Sequence, residues 1–512
     1  MKGLKKIDFQ QHPILLLSLL TCFAFFVRYF FAFQELAYLD RLFIPDDAYY
    51  ILSISRSMVA GLGPSVDGVQ LTNGFQPLIS FFQTAIFLLG FKGDQAVSLA
   101  VYLTAFWGGI STFVLGYLLM ILSSIRAAFF GSVLWIFCPI IIQNDLNGME
   151  TSLAGFLNLL TILLVLLIDK KLTYLRLLIL GVICGLAYLA RADSCFLLIV
   201  IGLFALLRWG FHASLFFVAI AVLVVLPWWI YSYAHFATII PESVQAIKQL
   251  VNYIHRSTQF NTLASLYSLI EWFPFFKCLA LTACLGIIIT FYIIAKGACR
   301  AGLMAYILVP SIALQWIFYT FYLPAFWFFT RYYYFIYSVI LILLALLLDA
   351  KKDSQAQRRS LAFLLLILLA FCIYLSQFLG KPQRTKAADI SSLKGYRDVA
   401  LELIAHLAPG DRIGAFQSGA LSYYAPASVR VINLDGVVNA EAAKAFKTKT
   451  MKNYVDSQHM NRFADWEYNA YLFKDLYGAP FPAGCFNTIY ETQKQGSQRF
   501  TLRNYNPKCK FQ

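Results

Sequence analysis

Long apolar runs separated by short polar loops set the pattern of this chain. The first covers residues 13–33, behind Lys2, Lys5 and Lys6. Others fall near 96–122, 126–144, 151–168, 173–190, 194–208, 213–231, 273–295, 302–320, 331–349 and 360–380. At ~1.5 Å per residue, each covers most or all of a hydrocarbon core ~30 Å thick. The run at 77–91 is shorter, and charge decides its status. If it spanned, the basic loops 168–176, 296–300 and 350–359 would all face outside. As a re-entrant or interfacial helix it leaves them inside with the basic N-terminus, as the positive-inside rule requires. The predicted fold class is therefore an α-helical polytopic membrane protein with about eleven transmembrane helices. The first helix is retained and its N-terminus is cytoplasmic. Segments 34–95, 232–272 and everything after about 380 lie outside, and Arg28 snorkels to the outer interface.

After residue 380 the pattern changes. No membrane-length run follows, and amphipathic and strand-like segments alternate. Residues 393–407 predict an amphipathic helix, Pro409-Gly410-Asp411 a turn, and 412–416 and 429–434 short strands. The expected organisation is a membrane module over 1–380 and an extracytoplasmic α/β domain over 381–512. In an oxidising compartment Cys485 and Cys509 are candidates for a disulfide.

Composition excludes the alternatives. Of 512 residues 60% are hydrophobic and only 13% charged, against ~25% charged in ordinary globular chains. A water-soluble fold cannot hide so much apolar surface, and disordered chains and coiled coils need charge. The net charge of +15 belongs to cytoplasmic loops and not to a nucleic-acid partner. Most of the ten cysteines lie in or beside apolar runs, and no CxxC or His/Cys cluster suggests zinc.

The candidate chemistry gathers in the outer segments. Residues 44–64 predict a helix lying on the membrane surface, started by Pro45 and ended by Gly61. Ile51, Leu52, Met58 and Val59 form its apolar stripe, and Asp46, Tyr50, Ser53 and Ser57 line another face. Acids at a helix start offset the dipole, which is the plain account of Asp46 and Asp47. Further acids share their side: Glu150 in Asn147-Gly-Met-Glu-Thr and Asp193 in Arg191-Ala-Asp-Ser. So do the cations Lys248, His255, Arg256 and Arg331. Together they supply a carboxylate base, supporting acids and cations able to neutralise a phosphate.

These residues sit in motifs that resemble the GT-C glycosyltransferases, the polytopic class of protein O-mannosyltransferases and lipid A aminoarabinose transferases. Asp46-Asp47-Ala-Tyr-Tyr is similar to the acidic first-loop motif, and Asn147-Gly-Met-Glu-Thr151 to a second acidic motif. Thr72-Asn-Gly-Phe-Gln-Pro77 resembles an Asn-Gly-Phe-His-Pro motif, with Gln76 in place of His. Pro227-Trp-Trp…Pro241-Glu-Ser243…Lys248 resembles a Pro-x-Ser…Lys segment, and Arg331-Tyr332-Tyr333 and Asn433-Leu-Asp-Gly-Val437 add weaker support.

The resemblance implies inverting transfer of a sugar from a polyprenyl-phosphate donor to a lipid, glycan or protein acceptor, at the outer face of the cytoplasmic (inner) membrane. Asp46 then aligns with the general base, aided by Asp47 and Glu150. Arg331, Lys248 and Arg256 serve the donor phosphate. Tyr50, Asn73, Gln76, Arg191 and Asp193 are the expected substrate-binding side chains. Gln76 can donate a hydrogen bond but cannot take a proton. No cofactor is required; if a divalent metal is used, Asp46 and Asp47 are its expected ligands. The C-terminal domain is expected to help position acceptor and to contribute little to bond making. Two other classes fit parts of the pattern. A flippase or transporter predicts inverted repeats and midplane charges. An O-antigen-ligase-like enzyme predicts a large Arg- and His-rich outer loop and no α/β tail.

Overall fold

The computed structural model describes residues 12–258, 299–323, 329–349, 394–481, 484, 486–492 and 499–506. The runs expected at 273–295 and 360–380, and Cys485 and Cys509, lie outside the described residues. The remaining apolar runs are helical. In chain order the helices are Pro13–Ala32 (α1), Leu36–Leu42 (α2), Asp46–Val59 (α3), Pro77–Leu88 (α4), Gly93–Leu122 (α5), Ile125–Phe137 (α6), Pro139–Asp145 (α7), Thr151–Lys170 (α8), Tyr174–Ala190 (α9), Cys195–Trp209 (α10), Phe211–Phe236 (α11), Glu242–Thr258 (α12), Cys299–Ile317 (α13), Phe329–Tyr332 (α14) and Tyr334–Asp349 (α15).

Among the described residues, α1, α5, α8, Ala192–Trp209 and α11 are each long and apolar enough to cross a bilayer. The α6–α7 pair passes the same test together but is bent by 63°. The apolar run at 126–144 is thus broken at Pro139, which has no N–H to donate and crowds the preceding turn. With 12 residues, α4 covers only ~18 Å and is too short to span. On α11, Leu223 and Ile230 are 61% and 60% exposed. Such surface is unstable in water and natural in lipid. The chain is a membrane protein. Where α9 meets α11 the helices touch backbone to backbone: a Cβ on Gly181 would lie 2.6 Å from the Phe217 carbonyl, a small-residue contact typical of bilayer helices.

Arg28 does not snorkel. Its side chain is fully buried and its Nε lies 2.7 Å from Asp145 Oδ2. The Tyr334 hydroxyl donates to Asp145 Oδ1 at 2.8 Å, so three distant helices meet at one carboxylate. Once α6 and α7 kink at Pro139, Asp145 turns inward and supplies the partner that a buried guanidinium requires.

The C-terminal region holds helices Tyr396–Ile404 (α16), Gly419–Tyr424 (α17), Ala440–Thr448 (α18), Met451–Ser457 (α19) and Glu467–Leu476 (α20). Its strands are Arg412–Ala415 (β1), Arg430–Asn433 (β2), Arg462–Trp466 (β3), Thr488–Glu491 (β4) and Phe500–Asn504 (β5). They form one sheet of order β2-β1-β3-β5-β4, parallel across β2-β1-β3 and antiparallel beyond. Ile432, Phe463 and Phe473 build one apolar cluster. Ile413, Leu421 and Val431 join Leu39, Ala48, Tyr49 and Leu52 of the first loop in another. The sheet thus shares a core with α2 and α3.

That shared core changes the reading of α3. Ile51 and Leu52 are buried as the stripe predicts, but so are Asp46, Tyr50, Ser53 and Ser57. The helix is covered on both faces, by α4 on one side and α17 on the other, and does not lie on a membrane surface with a wet face.

Candidate active site

Pro45 holds an extended conformation just before α3, and the first turn of the helix then sends Asp46 and Asp47 in different directions. Neighbouring helical side chains diverge by ~100°, so adjacent acids reach different partners. Asp46 faces the C-terminal sheet. Its Oδ2 accepts from the Gly419 N–H at 2.8 Å and its Oδ1 from the Ala420 N–H at 2.9 Å. The approach is close: a Cβ on Gly419 would lie 2.1 Å from the Asp46 carbonyl oxygen. Burial pushes the Asp46 carboxyl up to about 7, the two N–H groups pull it down, and Asp47 and Asp465 push it up.

Tyr50, one turn on, continues the same seam. Its hydroxyl accepts from Ser418 N–H and Asn433 Nδ2, each at 3.1 Å, and donates to the Phe416 carbonyl at 3.2 Å. Arg56 donates to the Tyr423 carbonyl at 2.7 Å. Asp465 of β3 accepts from the N–H groups of Phe416 and Gln417, at 2.6 and 3.1 Å. The C-terminal region thus reaches Asp46 directly, through the loop after β1 and the first turn of α17.

Asp47 faces the membrane helices. Its Oδ2 pairs with Arg331 at 2.8 Å. Arg191 forms a fork onto Asp193, Nε to Oδ1 and Nη2 to Oδ2, both 2.9 Å, while its Nη1 reaches Glu150 at 2.9 Å. Tyr319 donates to Asp193 at 2.6 Å and Gln315 at 3.2 Å. The Tyr332 ring joins the two halves: the guanidinium carbons of Arg191 and Arg331 each lie 5.4 Å from its centroid, the range of a cation–π contact. Five separate chain segments therefore build one charged layer: three carboxylates, two guanidiniums and a set of phenols.

Other expected residues take different places. The Asn73 side-chain carbonyl accepts from the Glu242 N–H at 2.9 Å, tying the Thr72–Pro77 loop to the start of α12. Gln76 precedes α4 and lines a small apolar cavity with Trp228, Ile239 and Pro241. The Lys248 ammonium sits 3.8 Å from the centre of the Tyr322 ring. The side chains of His255 and Arg256 lie outside the described residues.

Sequence reading overlooked several participants. Gln315 and Tyr319 carry a faint signal, as polar groups in and just beyond an apolar helix. Glu242 is buried, one of its oxygens has no partner among the described residues, and burial pushes its carboxyl up to about 7. Gly419 and Ala420 act through backbone N–H groups, which no residue type advertises.

The fold that carries this layer has counterparts of known structure. The archaeal oligosaccharyltransferase AglB from Archaeoglobus fulgidus, in complex with an inhibitory peptide and a dolichol-phosphate, superposes with a TM-score of 0.56 at 13% identity, over 96% of this chain and 74% of that one. The same enzyme tethered to an acceptor peptide containing the NVT sequon gives 0.57 at 12%, over 96% and 74%. Its complex with Zn and sulfate gives 0.56 at 15%, over 94% and 72%.

The fold is of the GT-C type.

Residues 388–502 also match a family described as a domain of unknown function, DUF8728. No curated protein matches the sequence. Within this GT-C-type scaffold the acids do not fit a divalent metal. Asp46 directs its two oxygens to backbone N–H groups, Asp47 pairs with Arg331, and no group of three His, Cys, Asp or Glu converges among the described residues.

Proposed function

We propose that this protein is an integral membrane glycosyltransferase that uses a sugar or glycan carried on a polyprenyl phosphate and transfers it, with inversion, to an acceptor at the extracytoplasmic face of the cytoplasmic membrane. The observation that carries the reading is the charged layer itself. Asp47, Glu150, Asp193, Arg191 and Arg331 meet in one network, next to apolar helices that suit a lipid chain, and Asp46 adjoins it from the same turn of α3. Ionisable groups at membrane depth are costly and are retained for function.

In this reading Asp46 is the general base. Its raised pKa suits it to take a proton from an acceptor hydroxyl or amide near neutral pH, as that atom attacks the anomeric carbon. The Gly419 and Ala420 N–H groups orient the carboxylate. The leaving group is a phosphate anion. Arg331 stabilises it by exchanging Asp47 for phosphate oxygens, and Arg191 holds the layer in place through Glu150 and Asp193. A protein acceptor is favoured over a lipid or glycan by the AglB complexes with acceptor and inhibitory peptides. Relation to the bacterial O-mannosyltransferases and aminoarabinose transferases rests on the motifs alone.

The test is release of lipid phosphate. Protein in nanodiscs is given a labelled polyprenyl-phosphate sugar with peptide, glycan or lipid acceptors. A transferase frees the prenyl phosphate and labels one acceptor class. A flippase, the second reading, leaves the donor linkage intact.

A further inference from the structure

A narrow cavity of mixed polar and apolar lining opens behind the charged layer, between α8, α10, α13 and α15, lined among others by Asn158, Ser194, Gln315, Arg191 and Arg331. Among the described residues, three atoms there have no hydrogen-bond partner: Asn158 Oδ1, Ser194 Oγ and Gln315 Oε1. Their residues are only 5%, 4% and 4% exposed. In an apolar bundle, each such atom is costly until something bonds to it. Asn158 is the clearest case, two turns into α8 on the face that also presents Thr151, Ala154 and Gly155.

The chemistry of the missing partner can be read from Gln315. Its Nε2 already donates to Asp193 at 3.2 Å and to the Tyr332 carbonyl at 3.1 Å, which fixes the other end, Oε1, as an acceptor. A phosphate oxygen would be repelled there. The charges on the lining are already paired, Asp193 with Arg191 and Arg331 with Asp47, so no uncompensated charge there calls for a cation. What remains is a neutral hydrogen-bond donor, and Asn158, bound to nothing, can turn either end of its amide towards it. The cavity is narrow, so it suits a single group and not a whole ring.

We propose that this cavity is a specificity subsite that takes a hydroxyl or hydroxymethyl group of the transferred sugar, with Asn158 and Gln315 reading it. The proposal rests on the glycosyltransferase reading above. It adds that sugar identity is sensed beneath the Arg331–Asp47 pair, inside the bundle.

The test uses the full-length protein in nanodiscs, with farnesyl phosphate and its glucosyl, galactosyl and mannosyl esters as probes. Asn158→Leu removes an unpaired amide from a mostly apolar wall, so it should unfold at the parent's temperature or above. It should bind sugar-free farnesyl phosphate as the parent does, while KM for the preferred hexosyl ester rises about tenfold, the loss of one hydrogen bond in a dry site. Asn158→Ser should recover part of that loss. Equal weakening of ester and sugar-free phosphate overturns the proposal, because the cavity then serves the phosphate or the packing. An unchanged KM for every ester also overturns it, because the cavity then holds water only. Thermal shift separates the two levels. If the parent transfers from no ester but is stabilised by one ester above farnesyl phosphate, and Asn158→Leu loses that difference, the subsite stands and the transferase reading fails. If ester and phosphate stabilise the parent equally, the subsite fails whatever happens to transfer.

Discussion

Asp46 and Asp47 are adjacent on one helix, yet they belong to different parts of the molecule. Asp46 is held by neutral backbone donors at the start of α17 in the C-terminal region. Asp47 is held by the guanidinium of Arg331, beside the membrane helices. One turn of helix thus joins a soluble sheet to a bundle. The two environments also differ electrically. Neutral N–H groups leave a buried carboxyl raised to about 7, whereas a cation satisfies its partner directly. Under the proposed function, proton transfer falls to Asp46 and charge balance to Asp47.

The largest expected effect comes from removing the first acid. Asp46→Asn should lower transfer by ~10²–10⁴-fold, the usual weight of general base catalysis. It also turns an amide group towards an N–H donor, so unfolding should come a few degrees earlier. Initial rates and thermal scans on the same preparation measure both, and near-parental turnover would pass the base role to Asp47 or Glu150.

Arg331→Ala attacks the other half. An unpaired Asp47 remains next to the donor phosphate, and donor affinity should fall by about 10–100-fold, equivalent to ~1.5–3 kcal/mol. Direct binding of polyprenyl phosphate measures it. Equal affinity in variant and parent would return Arg331 to a structural role.

Gly419→Ala asks whether the seam between the two regions is as tight as it looks. The added Cβ meets the Asp46 carbonyl at 2.1 Å, and overpacking of this kind costs ~1–3 kcal/mol. A lower unfolding temperature with slower transfer is expected. Unchanged behaviour would mean that the loop and α3 separate easily.

How much of this was legible in the sequence follows the type of signal. Hydrophobic periodicity placed the helices, because lipid-facing positions must be apolar. The acids at 46, 47, 150 and 193 stood out as charges beside apolar runs. The kink at Pro139 and the inward turn of Arg28 did not, since its partner Asp145 is 117 residues away. The burial of α3 on both faces was hidden for a similar reason: its polar face is matched by backbone groups of residues 416–420, contributed from more than 350 positions later. Distant pairing of this kind leaves no local pattern.

A subtler prediction concerns pH. The folded-state pKa of Asp46 is raised from 3.8 to about 7, so the group contributes full stability below its unfolded value and loses that contribution as pH rises through about 7. Transfer should follow the opposite sense, falling as pH drops below about 7 and the base protonates. In Asp47→Asn a neighbouring negative charge is gone, the Asp46 carboxyl ionises more easily, and this acidic limb should move to lower pH. A limb that stays in place would mean that the two acids do not sense each other.

The smallest effect is expected at Lys248, whose contact with Tyr322 is worth ~0.5–1 kcal/mol. Lys248→Ala should change unfolding temperature and donor affinity only slightly, and a large loss of donor binding would add Lys248 to the phosphate site.

The most direct test of the account follows the label from a polyprenyl-phosphate sugar in nanodiscs containing either the parent protein or Asp46→Asn. The account predicts free prenyl phosphate and labelled acceptor with the parent, and intact donor with the variant. Donor that stays intact with the parent, or is cleaved equally by both, would contradict it.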